Sequence, residues 1–292
     1  MTPHTDGHIR STALLAGFTM AAFASNSVLC RLALQPNLID PGSFTLVRLL
    51  GGAIVLVTFV STRNSGSWRS PHWPAALALF AYAAPFSYAY VRIPIGIGAV
   101  ILFPAVQLTM IGWDLFHGKK LHAMEWTGLA LALGGLAILT LPGATAPDPL
   151  GAALMAVAGV AWGVYSIIGR GSKNAVANTA GNFAYAVLFA IPLVGSVPSQ
   201  MHWTPDGLLL ATVSGGLASG IGYAAWYTIL PRITATQAGI LQLLVPILAT
   251  LAGILVLAEP FTMRLAVAAI AIITGVALAV VMPNYRGKSH TK

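Results

Sequence analysis

Apolar stretches of about 20 residues alternate with short polar segments along almost the whole chain. A helix of that length, rising about 1.5 Å per residue, crosses the roughly 30 Å hydrocarbon core of a bilayer. Helices satisfy their backbone hydrogen bonds internally, whereas an open sheet leaves unpaired groups in lipid. The pattern predicts an all-α polytopic membrane protein with ten transmembrane helices, at about 11–30, 43–62, 74–91, 95–117, 124–141, 150–170, 178–197, 206–230, 234–257 and 261–282.

The order of polar and helix-breaking residues along the chain occurs twice. Segments about 140 residues apart match each other: Arg92-Ile93 with Arg232-Ile233, the Pro104 run with the Pro246 run, Gly135 with Gly275, and 22–31 with 161–170. This predicts two domains of five helices, 11–141 and 150–282. Because five is an odd number, the second domain must cross the membrane in the opposite sense. Inverted repeats of this kind surround a midplane binding site in many secondary transporters.

Charged residues are scarce, and their distribution predicts the topology. They make up 8% of the chain, and hydrophobic residues make up 57%. In a soluble domain about 25% of the residues are charged. With the N-terminus inside, eleven Lys and Arg fall on the cytoplasmic side and three, Arg31, Arg92 and Arg264, on the other. The positive-inside rule then makes both tails, 1–10 and 283–292, cytoplasmic in a bacterial inner membrane. The net charge of +8 is explained by topology rather than by nucleic-acid binding.

Motifs for catalysis or cofactor binding are absent from the sequence. The single Cys30 excludes an internal disulfide or a thiolate metal cluster, and the seven histidines have no metal-ligand spacing. No GxxxxGK, HExxH or GxSxG segment occurs, which argues against nucleotide hydrolysis and against a membrane-embedded enzyme. We expect no cofactor and no metal, and the lipid bilayer and a small molecule as the partners.

Several of these features together resemble a known family. Trp162-Gly163 in the sixth helix, Arg48 in the second, the mid-helix prolines and Ala258-Glu259 are similar to the drug/metabolite transporter superfamily with two EamA-type domains. The chain most resembles its YddG-type exporters of aromatic amino acids. The resemblance implies a cavity lined by helices 1, 3, 4, 6, 8 and 9, and export by alternating access. The chain departs from the family at Gly118-Lys119, where Gly-Glu is usual.

Aromatic and amide side chains at mid-depth are the candidates for binding substrate. Trp162 is clear of both membrane faces and can form a flat cavity wall or a cation–π contact, and Tyr165 shares its helix face. The other candidates are Tyr82, Phe103, Gln107, Gln242 and Asn26. Phe103 and Gln107 lie on one face of the fourth helix, with Met110 and Asp114. For each candidate, packing or a helix–helix hydrogen bond remains an alternative interpretation.

Proline and arginine inside helices have two readings each. Pro104 and Pro246 remove a backbone donor in mid-helix and are either hinges or static kinks. Arg48 is an intramembrane charge, which suggests function, although a structural anchor near the external end is the alternative.

The sequence therefore predicts a secondary transporter that exports aromatic and other neutral amino acids, and it is compatible with a monomer. An exporter of nucleosides or amphipathic drugs is the alternative, followed by a membrane-embedded enzyme or a structural subunit.

Overall fold

The structure, a computed structural model, describes residues 3–63, 66–69, 72–118, 123–141, 146–170, 172–195, 201–230, 241–242 and 244–286. Lys119, Lys120 and Arg232-Ile233, which enter the predicted charge pattern and repeat, lie outside the described residues.

Helices make up nearly all of the described chain. They are α1 Pro3–Leu34, α2 Pro41–Thr62, α3 Trp73–Tyr90, α4 Ile95–Phe116, α5 Ala123–Thr140, α6 Pro149–Gly169, α7 Ala175–Gly195, α8 Pro205–Val213, the π-helix π1 Ser214–Ile221, α9 Gly222–Ile229, α10 Leu244–Leu257 and α11 Met263–Arg286. The segments α8, π1 and α9 form one span, Pro205–Ile229. Within the described residues the only β pairing is an isolated bridge between Ile39 and Trp203.

Seven helical spans in this part of the chain are long and apolar enough to cross a membrane. The apolar segments Leu244–Leu257 and Met263–Leu278 are shorter. Large apolar side chains such as Leu14, Leu255 and Ile270 are 77%, 82% and 67% exposed, as expected of a surface that faces lipid. The prediction of an all-helical polytopic membrane protein is confirmed. The count of ten helices and their inverted arrangement stay predictions.

Three helices begin with the same local signal, a capping side chain followed by proline. Asp40, Asp148 and Thr204 accept hydrogen bonds from the backbone N–H three residues later, at 2.9, 2.7 and 3.1 Å. The next residue is a proline in each case. An N–H at this first helical position would have no partner within the helix, so proline loses no hydrogen bond there. These signals fix the starts of α2, α6 and α8. Helix α1 begins earlier, at Pro3, but its membrane-length apolar span is Thr12–Leu34, which agrees with the predicted start near 11.

Helices from the two matched halves of the sequence pack against each other. Helix α2 contacts α7, α5 contacts α11, α6 contacts both α3 and α4, and α1 contacts π1, α9 and α10. Close approach depends on glycine, since a Cβ at Gly163 of α6 would meet Thr109 of α4 at 2.6 Å. Gly215 of π1 likewise lies directly against the backbone of Arg48 in α2. The bundle is therefore held together by contacts between its halves.

Candidate functional site

A cavity of about 580 Å³ lies between α4, α6, α7 and α9, with one wall from α1. Its lining is mostly aromatic and small polar side chains: Phe23, Val106, Gln107, Met110, Trp162, Tyr165, Ser166, Asn178, Thr179, Asn182, Tyr223, Trp226, Tyr227 and Gln242 are the principal members. Among the described residues, none that lines the cavity is acidic. A volume of this size accommodates a small organic molecule.

Aromatic rings form the deep wall of the cavity. Trp162 is at its centre, with ring centroids 5.5 Å from Tyr165 and 5.7 Å from Tyr223. The Tyr223 ring in turn lies 5.3 Å from Phe23 and 6.1 Å from Tyr227. Three of these pairs are tilted and the Tyr223–Tyr227 pair is stacked, arrangements that are favourable between aromatic rings at these distances. The wall therefore presents flat apolar faces to whatever occupies the cavity.

Hydroxyl and amide groups on one side of the cavity are joined in a network. The Tyr165 hydroxyl donates to Thr179 Oγ1 at 3.3 Å and accepts from Asn182 Nδ2 at 3.3 Å. Thr179 Oγ1 donates to the Tyr227 hydroxyl at 3.2 Å. Mutual hydrogen bonding satisfies these groups in an interior where an unpaired polar group is costly. The cavity thus combines aromatic faces with neutral polar groups.

The cavity reaches the end of the bundle where α6 ends and α3 and α7 begin. Arg170, Ser172 and His72 line it there, and Arg170 and His72 are exposed. Arg170 Nη1 donates to Asp114 Oδ1 at 2.7 Å, tying the ends of α6 and α4 together. The charge pattern predicts this end to be cytoplasmic.

The opposite end of the bundle is closed by a polar cluster, which we call the Arg31–Glu259 cluster: Arg31, Glu259, Tyr90, Ile95 and Ser27. Arg31 Nη1 donates to the carbonyl oxygen of Tyr90 at 2.6 Å, and Arg31 Nε lies 3.4 Å from Glu259 Oε1. Glu259 Oε2 accepts from the backbone N–H of Ile95 at 2.8 Å, and the Tyr90 hydroxyl donates to Ser27 Oγ at 2.9 Å. The cluster joins α1, α3, α4 and the segment after α10.

A left-handed turn positions Glu259 in this cluster. Ala258 has φ 52°, and the backbone N–H of Glu259 donates to the carbonyl of Gly253 at 3.2 Å, which reverses the chain after α10. Burial raises the pKa of the Glu259 carboxyl above its ordinary value, while the Ile95 N–H and Arg31 oppose the shift. Arg31 and Glu259 are only 11% and 10% exposed, so their interaction is weakly screened.

The predicted binding residues divide into two groups in the structure. Trp162, Tyr165, Gln107 and Gln242 line the cavity. Tyr82, Phe103 and Asn26 do not line it. Phe103 packs against the core, and Asn26 Oδ1 accepts from Ser214 at 2.9 Å and Ser219 at 3.3 Å, both in π1. The Tyr82 ring lies behind the wall, with its centroid 4.6 Å from that of Trp162.

Both prolines are buried within helical segments. Pro104 lies inside α4. Pro246 lies in α10, Leu244–Leu257, and residues 241–242, on the other side of the undescribed residue 243, are helical as well. Their hinge role stays a prediction.

Several cavity residues were not recognised in the sequence, namely Phe23, Tyr223, Trp226, Tyr227, Thr179 and Asn182. Trp226 is 6% exposed and lines the cavity. The spacing of Tyr223, Trp226 and Tyr227 by three and four residues, which places them on one helix face, was the available signal.

Comparison with known proteins gives the family. The chain is similar to an uncharacterized protein of Pseudomonas aeruginosa, 46% identical over 275 residues that cover 92% of this chain and 94% of the relative. It is also similar to the uncharacterized inner membrane transporter YedA of Escherichia coli, 27% identical over 197 residues (65% and 61%). A probable terminal-alkyne amino-acid exporter of Streptantibioticus cattleyicolor is 26% identical over 181 residues (59% of each chain).

A crystal structure of a protein 21% identical to the chain has a TM-score of 0.64, covering 95% of this chain and 99% of its own, so the two share a fold. The EamA-like transporter family matches residues 10–141 and 149–281, which are both halves of the sequence. The aromatic cavity inside a helical membrane bundle and the two family matches agree: the chain belongs to the EamA-like transporter family and is a multi-pass membrane transporter of a small molecule.

Proposed function

We propose that this transporter exports neutral amino acids, aromatic ones above all, across the bacterial cytoplasmic membrane by alternating access. The observation that carries the proposal is the cavity: aromatic faces from Trp162, Tyr223 and Phe23 beside the neutral hydroxyl and amide groups of Thr179 and Asn182. Flat apolar walls suit an aromatic or apolar side chain, and the polar groups suit a zwitterion. The amino-acid exporter among the relatives supports the same substrate class.

Alternating access requires a cavity that opens to one side of the membrane at a time. The cavity here extends to the end with Arg170 and His72, while the Arg31–Glu259 cluster joins the helices at the other end. We infer ten helices in two inverted repeats, with both termini cytoplasmic, so that the cavity faces the cytoplasm. Contacts between matched halves, such as α2 with α7 and α5 with α11, support an arrangement of this kind.

Transport by purified protein in liposomes tests the proposal. The panel contains labelled aromatic and aliphatic amino acids, nucleosides and sugar phosphates. We expect aromatic amino acids to be transported and to compete with one another. Transport of nucleosides without any amino acid would favour the alternative of a nucleoside or drug exporter.

Substitution of the cavity wall links transport to this site. Trp162→Ala removes the central ring and is expected to lower the rate of transport about tenfold, whereas Trp162→Phe keeps a π face and retains more activity. Trp126→Ala is the matched control, because Trp126 is 51% exposed on α5 and outside the cavity. Normal transport by Trp162→Ala at equal abundance would place Trp162 among packing residues.

A further inference from the structure

Arg48 is a buried cation with no acidic partner among the described residues. It lies inside α2, is 4% exposed, and its Nη2 donates to the Tyr82 hydroxyl at 3.0 Å. Its Nε is 3.5 Å from Ser219 Oγ, a long contact, and its Nη1 has no hydrogen-bond partner within the part of the chain that the structure describes. The three ion pairs among the described residues involve other arginines: Arg31, Arg92 and Arg170.

Aromatic rings stabilise this charge only in part. The guanidinium carbon lies 4.9 Å from the ring centroid of Phe86 and 5.3 Å from that of Tyr82, within cation–π range. A buried guanidinium normally also has a carboxylate or a full set of acceptors, because removing an ion from water is costly. Arg31 Nε also lacks a hydrogen bond but lies 3.4 Å from Glu259 Oε1, whereas Arg48 forms no ion pair among the described residues. The unpartnered Nη1 points instead to an acceptor that arrives with a ligand.

One aromatic ring separates Arg48 from the cavity. Trp162 lines the cavity, the Tyr82 ring is 4.6 Å from Trp162, and the Tyr82 hydroxyl is bonded to Arg48. That hydroxyl accepts its bond from Arg48 and so retains its own proton to donate. The Arg48 guanidinium and the Tyr82 hydroxyl that its Nη2 contacts are therefore two donors behind the Trp162 wall, one ring away from the cavity.

We propose that Arg48 binds the carboxylate of the transported molecule, with the Tyr82 hydroxyl as second donor. The inference rests on the proposed function and narrows it: the substrate carries a free carboxylate, and its apolar part remains among Trp162, Tyr223 and Phe23. An ionised acceptor makes stronger hydrogen bonds than a neutral one, and an arginine fork matches the shape of a carboxylate. Esters, amides and amines of the same skeleton lack this interaction.

Binding to the unmodified protein tests the inference first. Four probes share a phenyl ring: L-phenylalanine and phenylacetate carry a carboxylate, whereas L-phenylalaninamide and 2-phenylethylamine do not. Their affinities are measured on purified protein from the quenching of tryptophan fluorescence, since Trp162 and Trp226 line the cavity. We expect L-phenylalanine to bind at least about tenfold more tightly than L-phenylalaninamide, and phenylacetate at least about tenfold more tightly than 2-phenylethylamine. This is the effect of one or two charge-assisted hydrogen bonds. Equal affinities for acids and non-acids overturn the proposal.

Variants then assign the preference to Arg48. Arg48→Gln should abolish the preference for acids: the affinity for the two acids should fall about tenfold or more, while the affinity for 2-phenylethylamine changes little. Arg48→Lys should retain part of the preference. Arg63→Gln is the matched control, since Arg63 is exposed at the end of the same helix. An equal loss of affinity for all four probes in Arg48→Gln identifies Arg48 as an anchor and overturns the proposal.

Failure of this inference and failure of the proposed function have different outcomes. If phenylacetate binds in an Arg48-dependent way and no amino acid is transported into liposomes, carboxylate binding holds and amino-acid export fails. If phenylalanine is transported but binds no better than its amide, export holds and the role of Arg48 is refuted.

Discussion

Replacing Arg31 by glutamine should open the end of the bundle that the Arg31–Glu259 cluster closes. The change removes the 2.6 Å bond to the Tyr90 carbonyl and the 3.4 Å ion pair with Glu259. Glutamine is shorter and neutral, so it restores neither. The matched control is Arg92→Gln, which removes a pair between Arg92 and Asp148 at 3.7 Å, where the side chains are 45% and 37% exposed.

The two changes should differ in size because their burial differs. A hydrogen bond from a charged donor contributes about 1.5–3 kcal/mol and a weakly screened ion pair about 1 kcal/mol more, so Arg31→Gln should destabilise the closed end by about 2.5–4 kcal/mol relative to an open, hydrated one. At about 1.4 kcal/mol per factor of ten, the open population rises roughly 60-fold to several hundredfold. The exposed Arg92 pair is screened by water, and its loss should change the population less than about fivefold.

Cys30 provides the measurement without any added label site. It is the only cysteine of the chain, is fully buried, and is adjacent to Arg31. A membrane-impermeant thiol reagent applied to the outside should modify it slowly in the unmodified protein and in Arg92→Gln, and much faster in Arg31→Gln. Equal rates in all three proteins would show that the cluster does not control access from this side.

Three further predictions use the same kind of labelling. Cysteine at Ser172 should react only with reagents that reach the cytoplasm, and cysteine at Met201 only with external ones; reaction of Ser172→Cys from outside contradicts the inverted repeat. Pro104→Ala and Pro246→Ala each restore a backbone donor worth up to about 3 kcal/mol and should bias access to the cavity towards opposite sides of the membrane. If both variants shift labelling in the same direction, or neither shifts it, the prolines are static kinks. Because burial raises the pKa of Glu259, the closed end binds a proton more tightly than an open one. Closure should therefore strengthen as pH falls from neutral towards the ordinary carboxyl range, and external labelling of Cys30 should slow relative to labelling of an exposed cysteine. In Glu259→Gln this pH dependence should be absent.

The sequence predicts most of the helical bundle because hydrophobic length and capping residues are local signals. Asp40-Pro41 and Asp148-Pro149 mark helix starts within the chain itself, and the predicted starts at 43 and 150 lie within two residues of them. The π-helix at Ser214–Ile221 was not predicted. It is rich in glycine and serine, and its geometry depends on close packing against α2, which no local pattern reveals.

The candidate site was predictable only where one residue type is unusual in its position. Trp162 and Gln107 stand out because a tryptophan and an amide at mid-depth need an explanation. Tyr223 and Tyr227 do not stand out in the sequence, because tyrosine near a helix end is common at membrane interfaces. The Arg48–Tyr82 bond joins residues 34 positions apart on different helices, so only the fold brings them together.

The tight packing of α6 against α4 has a consequence for how the protein is made. Thr109 and Ala105 of α4 are covered by Gly163 and Gly159 of α6, which belong to the second matched half. During synthesis the first five helices therefore enter the bilayer with this face uncovered, and with Arg48 still lacking its contact to Ser219. The nascent N-terminal half therefore exposes a helix face that is covered only once residues 149–221 have been inserted. We expect insertion or quality-control machinery to bind it until then. When expressed alone, this half should be degraded.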